Sequence, residues 1–77
     1  MAKLPRITAI DLIRVMRKLG FKLDRQKGSH QVHLDPAGRR VVVPVHAGKI
    51  LLPKVLKDAL RNAAVSVEEF VRLLRDA

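Results

Sequence analysis

Residues 20–44, GFKLDRQKGSHQVHLDPAGRRVVVP, decide the fold of this 77-residue chain. They contain three short segments that alternate apolar and polar residues or are rich in β-branched residues, as strands do. Gln26-Lys27-Gly28-Ser29 and Asp35-Pro36-Ala37-Gly38 separate these segments and have turn character. In the second of them, Asp, Pro and Gly occupy the first, second and fourth positions that a type I turn favours. The stretch therefore predicts a three-stranded antiparallel meander that ends near Pro44.

Helical periodicity lies on both sides of this meander. Before it, Thr8 and Asp11 have the spacing of a helix N-cap and its capping-box partner, and Gly20 suits the position after the helix. After it, a second helix is predicted to begin at Pro53. The predicted buried stripes are Ala9, Leu12, Ile13, Met16 and Leu19 in the first helix, and Leu52, Leu56, Ala59, Leu60 and Ala63 in the second.

A short final helix is predicted after Ser66, which forms a full capping box with Glu69. The resulting order predicts one α+β domain over residues 1–77, with the α-β-β-β-α order of double-stranded-RNA-binding domains. Its three-stranded antiparallel sheet is covered on one face by helices. Strict alternation places His30 with Val32 on the covered face and His33 on the wet face, although a strand's first residue can depart from this rule.

Charge is the strongest compositional signal, because 16 Lys and Arg against seven Asp and Glu give a net charge of +9. Such a charge attracts polyanions, which include nucleic acid, an anionic membrane or an acidic protein. A basic surface that serves only solubility is the alternative. With no Trp or Tyr and only Phe21 and Phe70, the chain lacks an aromatic platform for single-stranded bases. Recognition of RNA through phosphates, 2′-hydroxyls and helix shape is therefore favoured.

Other classes of protein are disfavoured by simple absences. The chain has no cysteine, no helical His-x-x-x-His pair and no carboxylate pair at metal-ligand spacing, so neither a metal nor another cofactor is predicted. No apolar run approaches the ~20 residues of a membrane span. No apolar run follows the basic residues near Met1, so we expect a cytoplasmic protein without a signal peptide.

The residues that could carry chemistry are histidines in a basic surrounding. RNA supplies its own nucleophile, the 2′-hydroxyl, so an enzyme needs a base, an acid and cations near the phosphate. His30 suits the proton transfer, because imidazole titrates near neutral pH. Arg25, Lys27 and Arg39 are predicted to be near enough to supply positive charge. Gly28 lets the backbone approach a phosphate, and Ser29 could donate a hydrogen bond to it.

Three ordered motifs resemble those of the HicA (YcfA-like) toxins of bacterial and archaeal toxin–antitoxin pairs. They are Gly20-Phe21, then Arg25-Gln26-Lys27-Gly28-Ser29-His30, then Val43-Pro44-Val45-His46. The resemblance extends from about Thr8 to the Ser-x-Glu-Glu-Phe segment that ends at Phe70. Two positions depart from the pattern. Gln31 stands where many members have a second histidine, and Leu52-Pro53 stand near the place of a Gly-Thr pair.

The resemblance implies an mRNA-cleaving endoribonuclease, or mRNA interferase, on a fold like that of double-stranded-RNA-binding domains. It also implies neutralisation by a HicB-type antitoxin protein. The catalytic histidine of the family follows Gly-Ser, which is His30 here. His46 is predicted either to hold its loop by a hydrogen bond or to assist catalysis.

Several alternatives remain open on the sequence. Arg25, Lys27, Arg39 and Arg40 are candidate phosphate contacts, but each could equally be a solvated charge. His33 could touch RNA or the antitoxin from the wet face, or do neither. The principal rival to the nuclease is a module that binds double-stranded or structured RNA without cutting it. DNA binding is disfavoured, because strands separate the two long helices and helix-turn-helix spacing is absent.

Overall fold

The computed structural model describes residues 3–76, and Met1 and Ala2 of the basic start, with Ala77, lie outside them. The elements are α1 (Ala9–Lys18), β1 (Lys22–Lys27), β2 (His30–Leu34), β3 (Arg40–Pro44), α2 (Pro53–Ala63) and α3 (Val67–Arg75). The strands form one antiparallel sheet in the order β1-β2-β3. The predicted α+β arrangement, with its α-β-β-β-α order and an additional C-terminal helix, is confirmed.

Local side-chain chemistry explains where α1 begins and ends. The Thr8 hydroxyl accepts from the backbone N–H of Asp11, and the Asp11 carboxylate accepts from the backbone N–H of Thr8, so the capping box is complete. At the other end, Gly20 has φ +97°. The N–H of Phe21 donates to the carbonyl of Met16 at 2.9 Å, which closes a Schellman motif. These two ends aim the chain from α1 directly into β1.

The two helices after the sheet begin where the sequence predicts, but their N-caps differ from the prediction in detail. Leu52 is the N-cap of α2 but makes no side-chain cap, and it is 69% exposed. The prediction that Leu52 belongs to the buried stripe is therefore wrong, because its side chain precedes the helical turn that faces the core. The Ser66 hydroxyl accepts from the N–H of Glu69 at 3.1 Å, whereas the Glu69 carboxylate pairs with Arg72. Half of the predicted second capping box is thus present.

The sheet has one face whose side chains enter the core beneath the helices and one face that lies outside this core. Antiparallel partners share a face, and His33 pairs with Val41 while Gln31 pairs with Val43. Val41 and Val43 are fully buried in the core beneath the helices. His33 and Gln31 therefore lie on the covered face. His30, which pairs with Pro44, lies on the other side, which we call the open face.

This assignment decides one open question and corrects one prediction. Strict alternation from a covered Val32 would put His30 on the covered face, but His30 is exposed on the open face. His33 was expected on the wet face and is only 1% exposed. The error came from treating Val32 and Leu34 as the core side of β2. Val32 is itself only 8% exposed, but its side of the strand pairs with Val42, which is 38% exposed, and lies outside the core cluster.

The core is small and lies between the helices and β3. It consists of Ile7, Ala9, Leu12, Val15, Met16, Phe21, Val41, Val43, Leu56, Ala59, Leu60, Ala63 and Phe70. Both α1 and α2 contact β3, and α3 packs on α1. Every residue of β1 is exposed, although the alternation of Phe21-Lys22-Leu23-Asp24 predicts a half-buried strand, and that prediction is wrong. This strand is the far edge of the sheet and extends beyond the helices.

Candidate functional site

His30 stands at the first position of β2, directly after a two-residue hairpin turn. Gly28 has φ +59°, and Ser29 has a negative φ, which is the pattern of a type II′ turn. A side chain built on Gly28 would meet no atom within 4 Å, so the outer side of the turn is open. The turn thus presents the exposed His30 imidazole at a surface that a phosphodiester can approach.

The nearest cation in register is Lys27, which pairs with His30 across the turn. Cross-strand partners have Cβ atoms roughly 4.5–5.5 Å apart and project from the same face. Lys27 has no acidic partner within ion-pair distance among residues 3–76, whereas Arg25 contacts Asp24 at 3.4 Å. Lys27 is therefore free to contact an anion beside His30.

The open face carries further positive charge along its length. Arg25 pairs with Val32, and Lys22 and Arg40 both pair with Leu34, so all three cations share the face of His30. A β-bulge between Leu23 and Arg25 preserves this arrangement, because it resets the alternation of β1. Lys22 was not a predicted site residue, since the bulge that places it here is not visible in the sequence pattern.

Arg39 and Arg40 lie at the opposite end of the β2–β3 hairpin from His30. Leu34, the partner of Arg40, is four positions from His30 along the strand, a distance of about 13 Å. The Arg39 guanidinium contacts the Asp35 carboxylate at 3.1 Å, and the Arg39 N–H donates to the same carboxylate at 2.7 Å. The expectation that Arg39 supplies charge beside His30 is therefore wrong. Its interaction with Asp35 closes the second turn.

The contact with Arg39 changes the pKa of the Asp35 carboxyl. Burial raises the pKa of Asp35, but the hydrogen bonds and charge of Arg39, with a further hydrogen bond from the Ala37 backbone, outweigh it. The net effect is a pKa below the ordinary value. Asp35 is thus a charged turn residue rather than a candidate catalytic acid.

His46 is brought to His30 by the loop between β3 and α2, residues 45–52, which we call the connector. The N–H of Val45 donates to the carbonyl of Ser29 at 2.7 Å and holds the start of the connector against the first hairpin turn. The chain then reverses at Gly48, whose φ of +74° suits a type II turn closed from Lys49 to His46. The predicted side-chain hydrogen bond that would make His46 structural is not found among residues 3–76.

His30 and His46 line one cavity of about 420 Å³, which we call the connector cavity. Its other walls include Pro44, Lys49 and the exposed aliphatic side chains of Ile50 and Leu52. Lys49 adds a second cation that the sequence analysis did not single out. His30 and His46, which lie 16 positions apart in the sequence, therefore line the same cavity.

Behind this site, the covered face of the sheet carries a chain of side-chain hydrogen bonds. The Gln26 amide donates to the carbonyl of Gly28 at 3.0 Å, and the Gln31 amide donates to the Gln26 oxygen at 3.3 Å. The Gln31 oxygen lies 3.0 Å from Nε2 of His33. Burial and the nearby Arg17 charge lower the pKa of His33, so its ring is neutral and donates through Nε2.

Metal binding and membrane insertion find no support in the described part of the chain. Residues 3–76 contain no group of three or more His, Cys, Asp or Glu side chains that could hold a metal ion. Over the same residues, no helix has the length and apolar character of a membrane span.

Comparison with protein families decides the class of the chain. The sequence model for the HicA toxin of bacterial toxin–antitoxin systems matches residues 10–65. The chain belongs to the HicA toxin family. The HicA match covers all of α1 but its first residue, the whole sheet, the connector and α2, so His30, Lys27 and His46 all lie within it. No curated protein matches the chain. As a HicA toxin, the protein is one half of a toxin–antitoxin pair, and an antitoxin is its expected partner.

Proposed function

We propose that this HicA toxin is an endoribonuclease that cleaves mRNA or structured RNA with His30. The observation that carries the proposal is the placement of an exposed His30 opposite Lys27 and in one cavity with His46. The net charge of +9 favours an RNA substrate, because it increases the encounter with a polyanion.

The two imidazoles match the two proton transfers that RNA cleavage requires. One neutral imidazole removes the proton of the 2′-hydroxyl, whose oxygen attacks the adjacent phosphorus. The other imidazole, in its protonated form, donates a proton to the departing 5′-oxygen. The P–O5′ bond breaks as the P–O2′ bond forms, and the products carry a 2′,3′-cyclic phosphate and a 5′-hydroxyl. Either His30 or His46 can take either role.

Lys27 has the position of a charge stabiliser in this reaction. Negative charge accumulates on the non-bridging phosphate oxygens as the 2′-oxygen attacks, and a fixed cation stabilises it. Lys27 projects beside His30, and Lys49 lines the connector cavity with it. The reaction requires no metal ion, because these side chains supply both the proton transfers and the positive charge. Arg25, Arg40 and Lys22 would hold the flanking phosphates along the open face.

The test is incubation of the wild type and His30→Ala with a defined RNA in EDTA, followed by analysis of the product ends. We expect cleavage by the wild type, a 2′,3′-cyclic phosphate, and loss of cleavage in the variant. Because His30 is exposed, the variant should keep the wild-type circular dichroism spectrum and melting temperature. RNA retention in gel shifts without any product would instead support a non-catalytic RNA-binding module. Cleavage unchanged in His30→Ala would remove His30 from the mechanism.

The antitoxin proposal has a separate test in cells. We expect expression of the wild type in a bacterium to arrest growth, and co-expression of a HicB-type antitoxin to relieve it. His30→Ala should be tolerated without antitoxin. Arrest by His30→Ala at the same protein level would show that toxicity does not depend on RNA cleavage. We place the protein in the cytoplasm, where its RNA substrates are.

A further inference from the structure

His30 lies on a ridge between two cavities rather than at the edge of one. The connector cavity is on one side. On the other side is a cavity of about 290 Å³ between the sheet and α2, which we call the helix cavity. His30, Pro44 and Val55 line both. We propose that the two cavities bind the nucleobases on either side of the scissile phosphate, with the phosphate held at His30.

The geometry of the substrate supports two sites separated by a reactive group. In a dinucleotide, one phosphodiester joins two nucleosides, so a catalytic imidazole at the phosphate has a base on each side. The bases must leave a helical stack to enter such cavities, as bases do in single-stranded loops and bulges recognised by proteins. This inference rests on the proposed ribonuclease function and deepens it by naming the groups that would select the cleavage site.

The walls of the connector cavity suit a base held by apolar contact. Ile50 is 47% exposed and Leu52 is 69% exposed, although both are large aliphatic side chains beside the proposed reaction centre. Neither cavity contains Phe, Tyr or Trp, so the only aromatic rings in them are the two imidazoles proposed for catalysis. A flat base can instead lie against aliphatic side chains and Pro44, with Lys49 near its phosphate. Such a site holds any base and has little power to discriminate.

The helix cavity differs because polar side chains line it. Asp58 and Asn62 project from α2 one turn apart and face the same space. Asp58 contacts Lys54 at 3.1 Å, whereas the Asn62 amide makes no hydrogen bond to another side chain or backbone group within residues 3–76. An amide presents both a donor and an acceptor, the combination that pairs with the edge of adenine. Asn62 is therefore the group that would determine base preference.

The connector cavity is expected to contribute affinity and the helix cavity base selectivity, so the two can be tested independently. Cleavage sites in a mixed-sequence RNA would be mapped for the wild type, Asn62→Ala, Leu52→Ala and Leu23→Ala. We expect Asn62→Ala to reduce the preference for the best base over the others by about tenfold. Leu52→Ala should raise KM several-fold with the same site preference. Leu23→Ala, an exposed leucine on β1 outside both cavities, should change neither.

A second measurement does not depend on cleavage. Short oligonucleotides with a 2′-deoxy sugar at the scissile position cannot be cut through the 2′-oxygen, so binding can be measured at equilibrium. Titration followed by amide NMR should shift resonances near Leu52 and near Asn62, and fluorescence anisotropy should show weaker binding by Leu52→Ala.

The outcomes distinguish failure of the two-cavity proposal from failure of the ribonuclease. If His30→Ala abolishes cleavage but Asn62→Ala and Leu52→Ala behave as Leu23→Ala does, the ribonuclease stands and the two subsites are wrong. If the wild type cleaves nothing but both cavities shift with oligonucleotide, the subsites stand on a binding module. If an antitoxin shifts these residues while oligonucleotides shift only the cations of the open face, the cavities are a protein-docking surface and the proposal is overturned.

Discussion

Lys27 and His30 are direct cross-strand partners at the two ends of the Gly28-Ser29 turn. Because the two-residue turn makes them the closing pair of the hairpin, the lysine and the imidazole project from the same face as direct neighbours. A cation at this position is part of the hairpin itself and does not depend on a mobile loop.

Replacement of Lys27 by methionine should therefore impair cleavage strongly. We expect kcat/KM to fall about 10- to 100-fold, because the variant loses a fixed charge beside the developing phosphorane. Lys22→Met is the matched control, since Lys22 lies on the same face but pairs with Leu34 at the far end of β2. Its loss should be no more than about threefold and should reflect weaker RNA binding. Equal losses in the two variants would show that only overall charge matters.

His46 should behave as a partner of His30 in the pH dependence of the reaction. We expect His46→Ala to lower kcat about 100-fold or more and to remove one limb of a bell-shaped pH–rate profile, because a general acid or base is missing. His46→Gln should behave like His46→Ala, since glutamine transfers no proton. A full bell-shaped profile in both variants would exclude His46 from proton transfer.

The buried His33 should make stability depend on pH. Its pKa in the folded chain is below the ordinary value of 6.5, so the unfolded chain binds more protons as the pH falls past that value. Stability is therefore complete above about pH 7 and decreases as the pH falls through 6.5 towards the folded-state pKa. Urea unfolding at pH 7.5 and pH 5.5 would measure this decrease.

Two variants would show whether the loss of stability at low pH arises from the His33 imidazole. His33→Gln keeps an N–H donor for Gln31 and should reduce the difference in stability between the two pH values. His46→Gln removes an exposed histidine and should leave the difference as in the wild type. The opposite pattern would contradict a neutral, buried His33.

A side chain at Gly28 is expected to strain the backbone but to cause no steric clash. Its φ of +59° is unfavourable for an L-residue, but an added Cβ would meet nothing within 4 Å. Gly28→Ala should lower the free energy of unfolding by about 1–2 kcal/mol and also reduce cleavage, because the turn that carries His30 is distorted. Gly38→Ala is matched in φ and in space but lies at the other end of β2. It should lower stability similarly, with near-normal cleavage measured well below the melting temperature.

Most of the fold was predictable because its signals are local. Thr8 with Asp11, Gly20 after α1, and the Asp35-Pro36-Ala37-Gly38 turn each act within a few residues, and the structure contains them all. The orientation of β2 was not predictable, because β3 is apolar on both sides at residues 41–43. Only the pairing of His33 with Val41 decides which side of β2 enters the core.

The candidate site likewise combines residues that a local motif predicts with residues that only the tertiary structure brings together. His30 follows a local Gly-Ser turn and could be singled out from the sequence. Its proximity to His46 depends on the backbone hydrogen bond from Val45 to Ser29, and a backbone contact leaves no mark on side-chain patterns. Lys49 and Asn62 were missed for a related reason, since each reaches its cavity through the packing of the connector or of α2.

The backbone hydrogen bond between Val45 and Ser29 also affects when, during its synthesis, the toxin can become active. It joins two segments that leave the ribosome separately, and the second histidine follows only after the third strand has been made. On the proposed function, a partly synthesised chain would be harmless to the message that encodes it. The protein would gain its activity only once the last strand had docked.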